Sequence, residues 1–373
     1  MEINNTSPKR GEIEITVIGT GGGYGESLII HDGTGQWIIV DSCVSPDGDK
    51  NLPLEYLNHL GVNLSNSVKL IVCTHWHDDH IKGLADIYHE CSSAEIAFSQ
   101  AHDQWKFLYF VSLDALKLKD QSSESSTYEF NTILGILITR GKSYRRAQSD
   151  QLLHLVRLDG KSITLFALSP SSSTLDKFDE EISQLIADSE SRESKIVIEK
   201  PNEKSVALLF DFGIYNAIFG ADLEVGHHSD SGWFNILDNL KCINRETKSI
   251  YFKIPHHGSK NGFHARIWEE LLSENPVATL TPWNRNNGLP TDEMINVYKR
   301  LSKNLYITST KANFGKPKKR SHRLEKLIRD FDIDISEVKY SHGIIRYRLD
   351  IVNKGTCFNV EISGAAMHLQ DPN

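Results

Sequence analysis

The sequence predicts a mixed α/β fold. Three observations carry this: short apolar runs that stop at glycine- or histidine-bearing segments, intervening stretches with helical spacing, and enough apolar residues, 39% of 373, for a substantial core. Strand-like runs at Glu12–Ile18, Ser27–His31 and Trp37–Val40 open the chain. A helix-like stretch follows near Pro53–Leu60, where Leu54, Leu57 and Leu60 recur at near-helical spacing. Val68–Cys73 reads as a buried strand and Ile81–Cys91 as the helix after it. No pattern dominates 101–150, which holds a Ser-rich patch at Asp120–Thr127 and the basic group Arg140, Lys142, Arg145 and Arg146. It is expected as an insertion near the mouth of a site, more simply a solvated loop and helix pair than a lid. Strands resume at Leu152–Leu158 and Ser162–Leu168, and a charged helical stretch, Asp176–Ser191, precedes a hairpin beginning at Val206–Phe212. Ile214–Phe219, Ser249–Ile254 and Ala278–Thr281 complete a second sheet. The tail packs Lys316, Lys318, Lys319, Arg320 and Arg323 into one segment and then alternates as a hairpin over Gly343–Ile362.

Composition limits the function classes. Forty-one basic against 49 acidic residues give a formal charge of −8, so the molecule as a whole does not advertise affinity for nucleic acid, and only local clusters could. The five Cys (43, 73, 91, 242 and 357) are odd in number and widely spaced, which favours reduced thiols and a cytoplasmic setting. No run approaches the roughly 20 apolar residues of a membrane span, and Met1–Gly11 has no apolar signal core.

The chemistry lies in Thr74-His75-Trp76-His77-Asp78-Asp79-His80. At the end of a strand, side chains two apart leave from the same face, so His75 and His77 can grip one ion. Asp79 and His80 follow one turn later and can reach a second ion beside it. A lone His pair at this spacing is ordinary in a chain with 16 His; three His interleaved with Asp directly after an apolar strand are not. These donors suit zinc first and manganese or iron second. The Gly-rich run Gly19–Gly25 lacks the Gly-Lys-Ser/Thr ending of a nucleotide loop and reads as a tight turn beneath the metals.

The window Thr74–Gly83 resembles the signature of the metallo-β-lactamase superfamily, which implies a four-layer αββα sandwich holding two divalent metal ions at the sheet edges. Gly19–Gly25 with Ser27–Ile30, then Gln36–Asp41, resemble that family's opening strands and early Asp. Phe219–Glu224 is similar to its fourth motif and Ile254–Ser259 to its fifth. Lys253–Lys260 and Asn202–Leu209 resemble most closely the soluble hydrolase domain of ComEC-type DNA-uptake proteins and the phosphorylcholine esterases related to it. The resemblance covers about 12–310, within one domain spanning 1–373 that carries the 101–150 insertion and a 311–373 extension with its β-hairpin.

It implies that His75, His77 and Asp222 hold the first ion, that Asp222 bridges, and that Asp79, His80 and His256 hold the second. Asp79 would also orient the attacking water, and Asp41 would hold a ligand imidazole in its metal-binding tautomer. If Pro255–His257 is extended, His257 points elsewhere and serves either to support a ligand from behind or to protonate the leaving group, without binding a metal itself. Ser259, Lys260 and Asn284 are the candidate substrate contacts. Two departures from the pattern stand out. Leu168-Ser169-Pro170 has no third His for the first ion, and His154, the nearby substitute, sits in a setting, Leu152-Leu153-His154-Leu155, that fits a packed strand or helix better. Leu289 stands where related sequences carry His before the Pro, so the substrate-contacting or proton-donating side chain found there is missing. The expected activity is metal-dependent hydrolysis of a phosphodiester, on DNA or RNA first. A small phosphodiester or ester hydrolase, or a metal-holding regulatory subunit of a defence or uptake assembly, are the alternatives.

Overall fold

The computed structural model describes residues 3–99 without 24, 126–189, 201–309 without 285–287, and 337–369 without 340 and 354, together with 313–315 and 331. The readings made for 101–125 and for Lys316, Lys318, Lys319, Arg320 and Arg323 lie outside these residues. In chain order the first strands are β1 (Glu12–Thr20), β2 (Glu26–Asp32), β3 (Trp37–Val40), β4 (Val68–Cys73), β5 (Glu95–Ser99) and β6 (Arg145–Ala147). A second series follows: β7 (Gln151–Leu158), β8 (Lys161–Ala167), β9 (Leu208–Asp211), β10 (Asn216–Phe219), β11 (Ser249–Lys253), β12 (Leu272–Leu280) and β13 (Asn304–Ile307). Last come β14 (Asn313–Gly315), β15 (Glu337–Lys339), β16 (His342–Asp350), β17 (Asn359–Gly364) and β18 (Met367–His368). The helices are α1 (Leu52–His59), α2 (Leu64–Ser67), α3 (Asp78–Ile81), α4 (Leu84–Glu90), α5 (Ser126–Arg140), α6 (Ser172–Ser189), α7 (Gly232–Asn239) and α8 (Asp292–Leu301).

One eight-stranded sheet runs β17-β16-β1-β2-β3-β4-β5-β6 and the other β18-β13-β12-β11-β10-β9-β8-β7. Strand alternation builds the layers. Ile15, Val17, Ile30, Ile38, Val40, Leu70 and Val72 meet Leu165, Leu208, Phe210, Phe219 and Tyr251 between the sheets. Ile29, Ile39, Ile71 and Ile96 face the opposite way, against Leu57 of α1, Leu84 and Tyr88 of α4 and Phe130, Ile133 and Leu137 of α5. Trp233 and Ile236 of α7 and Met294 and Tyr298 of α8 cover the far face of the second sheet. The result is the expected four-layer αββα sandwich. The unbroken apolar reading of β3 and β4 follows from burial on both faces.

Parts of the chain expected to lie outside this frame are built into it. The described half of the 101–150 stretch supplies α5 to the helical layer and β6 to the sheet edge, parallel to β5. Its Glu129 carboxylate accepts the Gly83 and Ala85 amides at 2.8 and 3.0 Å, which caps α4 directly behind the His-rich loop. The basic group satisfies backbone carbonyls: Arg140 donates to Tyr88 O and His89 O, Lys142 to Ser92 O, and Arg145 to Leu152 O and Leu153 O. Arg140 and Lys142 do this at the C-terminal end of α4, where the last carbonyls have no intrahelical partner, whereas Arg145 serves β7 carbonyls at the register break between Leu152 and His154. The tail hairpin likewise completes the first sheet, with Ile345, Tyr347 and Leu349 in the inter-sheet core and Arg348 donating to the buried Glu14 carboxylate at 2.7 Å.

Helix α4 starts at Leu84 and not at Ile81, because Gly83 takes φ +83° and separates it from the single turn α3. All five Cys are free thiols. No helix among the described residues is long and apolar enough to cross a membrane.

Candidate metal centre

Strands β3, β4, β5 and β6 are parallel to one another, as are β10, β11, β12 and β13. The segments leaving their carboxyl ends converge at one rim: Asp41 after β3, Thr74–His80 after β4, Asp222 after β10, and His256 and His257 after β11. Backbone strain concentrates there, since four of the seven left-handed non-glycine residues described are Asp41, Ala221, His256 and His257. Gly25, at φ +108°, lets the turn after β1 pack against this loop; a Cβ there would meet the Asp79 carbonyl at 2.5 Å.

Two donor groups share Asp222. His75 Nε2 lies 3.1 Å from His77 Nδ1 and 3.8 Å from Asp222 Oδ2. On the other side, His80 Nε2 is 3.7 Å from Asp79 Oδ2 and 3.5 Å from Asp222 Oδ1, while His257 Nε2 is 3.4 Å from Asp79 Oδ2 and 3.5 Å from Asp222 Oδ2. Donors about 2.1 Å from a tetrahedral ion stand roughly 3.4 Å apart, so both groups are spaced as ligands. The ring protons also point the right way. Thr281 O, an acceptor only, lies 3.0 Å from His257 Nδ1, and the Asp41 carboxylate takes His80 Nδ1 at 2.8 Å. The Thr74 hydroxyl donates to Asp41 Oδ2 at 2.6 Å and so accepts from His75 Nδ1 at 3.0 Å. Three imidazoles thus turn an Nε2 lone pair inward. His80 Nε2 and Asp222 Oδ1, both fully shielded, have no hydrogen-bond partner, as donors awaiting a cation should.

Taken as protein groups alone, the cluster demands positive charge. Burial pulls His80 down, but Asp222, Asp79 and Asp41 hold it well above its ordinary value, and a similar balance takes His257 to about 9. Against burial, His257, His80 and His75 hold the Asp222 carboxyl well below the usual range, and His80 and His257 lower Asp79. Burial pushes Asp41 up, opposed by His80 and Thr74. Protonated imidazoles here meet a demand that bound cations would satisfy without them.

The structure exchanges the two adjacent histidines. His257 joins Asp79 and His80, whereas His256 turns to the cleft wall, with Nδ1 2.9 Å from Ser259 Oγ and 3.4 Å from Glu224 Oε1, and Nε2 3.0 Å from Asn202 Nδ2. The reason is local. An extended Pro255–His257 would send the second imidazole away, but φ of 47° at His256 and 53° at His257 curl the backbone and reverse which ring faces Asp222. Of the expected substrate contacts, Ser259 holds His256, Lys260 is exposed, and Asn284 donates its backbone amide to Gly21 O; none of the three lines the cleft. The cleft, about 390 Å³ in volume, is instead walled by Gly23, His77, Asp78, Asp79, Asn202, Asp222, His256, His257, Trp283 and Leu289.

His154 donates across the sandwich to Asp32 at 2.9 Å, away from the centre. In place of a third His, Ser169 is committed to Ser205 O and the Ala207 amide, and Ser205 Oγ accepts the Asp222 amide at 3.2 Å while lying 3.4 Å from His75 Nδ1. Sequence reasoning gave no role to Asn202, Glu224 or Trp283. A carboxylate two residues after Asp222 is the one signal that could have marked Glu224.

Replacing Asp41 with Asn puts an NH₂ group where His80 and Thr74 need an acceptor. Metal affinity is expected to fall about 10–100-fold, measured by chelator competition; a change under threefold would remove Asp41 from the centre.

A family model described as the metallo-beta-lactamase superfamily matches residues 20–261. No curated protein matches the chain. Among solved structures it is similar to the crystal structure of a metallo-beta-lactamase from Hirschia baltica, 13% identical over 62% of this chain and 84% of that one, with a TM-score of 0.27; that likeness is too slight to add weight. The family match runs through every donor segment from the Gly-rich turn to His257, over well more than half of the 373 residues, and the chain therefore belongs to the metallo-beta-lactamase superfamily, whose members are mostly hydrolytic enzymes.

Proposed function

We propose that this chain is a metal-dependent phosphodiesterase that takes nucleic acid as its preferred substrate. The observation that carries the hydrolase reading is the pair of donor groups, His75–His77–Asp222 and Asp79–His80–His257, joined through Asp222 at the floor of an open cleft. Two divalent ions bound here, zinc or else manganese or iron, would supply Lewis acidity and a nucleophile at neutral pH by lowering the pKa of water. The protein groups do the rest. Asp222 serves both donor groups, and Asp79 holds its oxygen where the nucleophile must be oriented. Asp41 fixes the His80 ring directly and the His75 ring through Thr74. His256 faces the cleft with Glu224 beside its Nδ1 and with Nε2 accepting from the Asn202 side-chain amide. Once Nε2 gives up that bond and takes a proton, with Glu224 holding the Nδ1 side, it can pass the proton to the leaving oxygen, the work expected of His257 from the sequence. Trp283, its ring centroid 5.5 Å from that of His257, offers a face on which a base can stack.

The nucleic-acid preference rests on Trp283, on the resemblance of Lys253–Lys260 to the ComEC-type domain and on the basic tail. Reversing Lys318, Lys319 and Arg320 to Glu is expected to reduce cleavage of long DNA about tenfold or more at moderate salt, and to leave bis-p-nitrophenyl phosphate hydrolysis unchanged. Unchanged rates on both would favour the small-phosphodiester reading, which the net charge of −8 supports. Bound metal with no turnover on either substrate would point to a metal-holding subunit of a larger assembly. The free thiols fit a reducing, cytoplasmic setting.

A further inference from the structure

Beneath the cleft a third buried polar atom lacks a hydrogen-bond partner: Glu26 Oε2, alongside His80 Nε2 and Asp222 Oδ1. Glu26 opens β2 directly after Gly25 and is 6% exposed. A carboxylate oxygen of Glu26 lies within 4.8 Å of donor atoms of both His80 and Asp222. Its Oε1 is engaged by Lys253 Nζ at 2.8 Å, and that ammonium also donates to Ile254 O at 3.1 Å. Lys253 is 3% exposed and ends β11, three residues before His256. Lys253 therefore holds one oxygen of the carboxylate and leaves the other without a hydrogen bond, and the small chamber of about 20 Å³ beside Glu26, Lys253, Asp41 and Thr74 has otherwise mostly apolar walls. A dry carboxylate oxygen beside an imidazole lone pair and a second carboxylate is unfavourable unless a positive charge stands among them.

We infer that Glu26 is a further ligand of the cation held by His80 and Asp222, bound through Oε2 while Lys253 keeps Oε1. The inference rests on the reading above that the centre holds cations. The ion pair explains how a third carboxylate can be added: Lys253 offsets its charge, so the net charge offered to an anionic substrate is preserved. It also makes the two positions unequal. One offers His75, His77 and Asp222, while the other offers two imidazoles and the three carboxylates Asp79, Asp222 and Glu26, an oxygen-rich set of five donors. Such a set favours manganese or iron over four-coordinate zinc.

Two measurements test this without turnover. In chelator competition and elemental analysis, Glu26→Gln, which keeps the shape and an oxygen for Lys253, is expected to weaken one of the two ions about 10–100-fold. The loss should be larger for manganese than for zinc, and the other ion should stay unchanged. Equal affinities for both ions in the wild type and the variant would overturn the assignment. An anomalous-scattering structure of the manganese-loaded wild-type protein needs no variant. It should place a Glu26 oxygen roughly 2.0–2.3 Å from the ion next to His80, and a separation beyond about 3 Å, outside any such bond, would overturn it. A protein that binds metal in this way and cleaves no phosphodiester would sink the functional reading alone.

Discussion

Exchanging Asp222 for Asn is expected to lower phosphodiester hydrolysis by about a thousandfold or more, roughly 4 kcal/mol of transition-state stabilisation. No other residue stands in both donor groups: its Oδ2 lies 3.8 Å from His75 Nε2 and 3.5 Å from His257 Nε2, and its Oδ1 lies 3.5 Å from His80 Nε2. The amide retains one weaker oxygen donor and loses the negative charge that balances two cations. Elemental analysis should therefore show a fall from two ions per chain to one or fewer, in parallel with the rate. The folded state should survive, because the Asp222 backbone remains anchored through its amide to Ser205 Oγ. A variant that retains two ions and turns over within tenfold of the wild type would refute the shared-carboxylate centre.

The second large effect separates the adjacent histidines. His257→Ala removes a donor set against Asp79 and Asp222, so one ion should be lost and activity should fall by a similar factor. His256→Ala should keep both ions and instead slow kcat about 10²–10⁴-fold on substrates whose leaving oxygen needs a proton. The same variant should act almost normally on bis-p-nitrophenyl phosphate, because nitrophenolate leaves without protonation. Loss of metal from His256→Ala together with full loading of His257→Ala would restore the assignment suggested by the order of residues alone.

Much of the fold was legible. Runs such as Val68–Cys73 and Trp37–Val40 announce themselves because burial on both faces of a central strand demands continuous apolar residues. The Thr74–His80 cluster is visible because one short loop supplies several donors. Helix α5 and strand β6 were not legible as parts of the core. Their apolar residues Phe130, Ile133 and Leu137 are few, and the neighbouring Arg140, Lys142 and Arg145 read as solvated charge until the carbonyls they cap are seen. The tail segment reads as a hairpin in sequence, but its place beside β1 rests on the pairing of Glu12–Thr20 with His342–Asp350, which includes the Glu14–Arg348 contact across 334 positions.

By itself the amino-acid order determined which side chains are available for chemistry and which strands deliver them, since spacing along a strand or tight loop is local geometry. Tertiary structure alone decided which imidazole of the pair at 256 and 257 faces Asp222. It also decided that Ser259, Asn202 and Glu224 surround the other, and that Glu26 and Lys253 lie beneath the centre. The reason is that φ at two residues, and contacts between segments more than 200 positions apart, are set by the packing of one sheet on the other, which neighbouring residues do not encode.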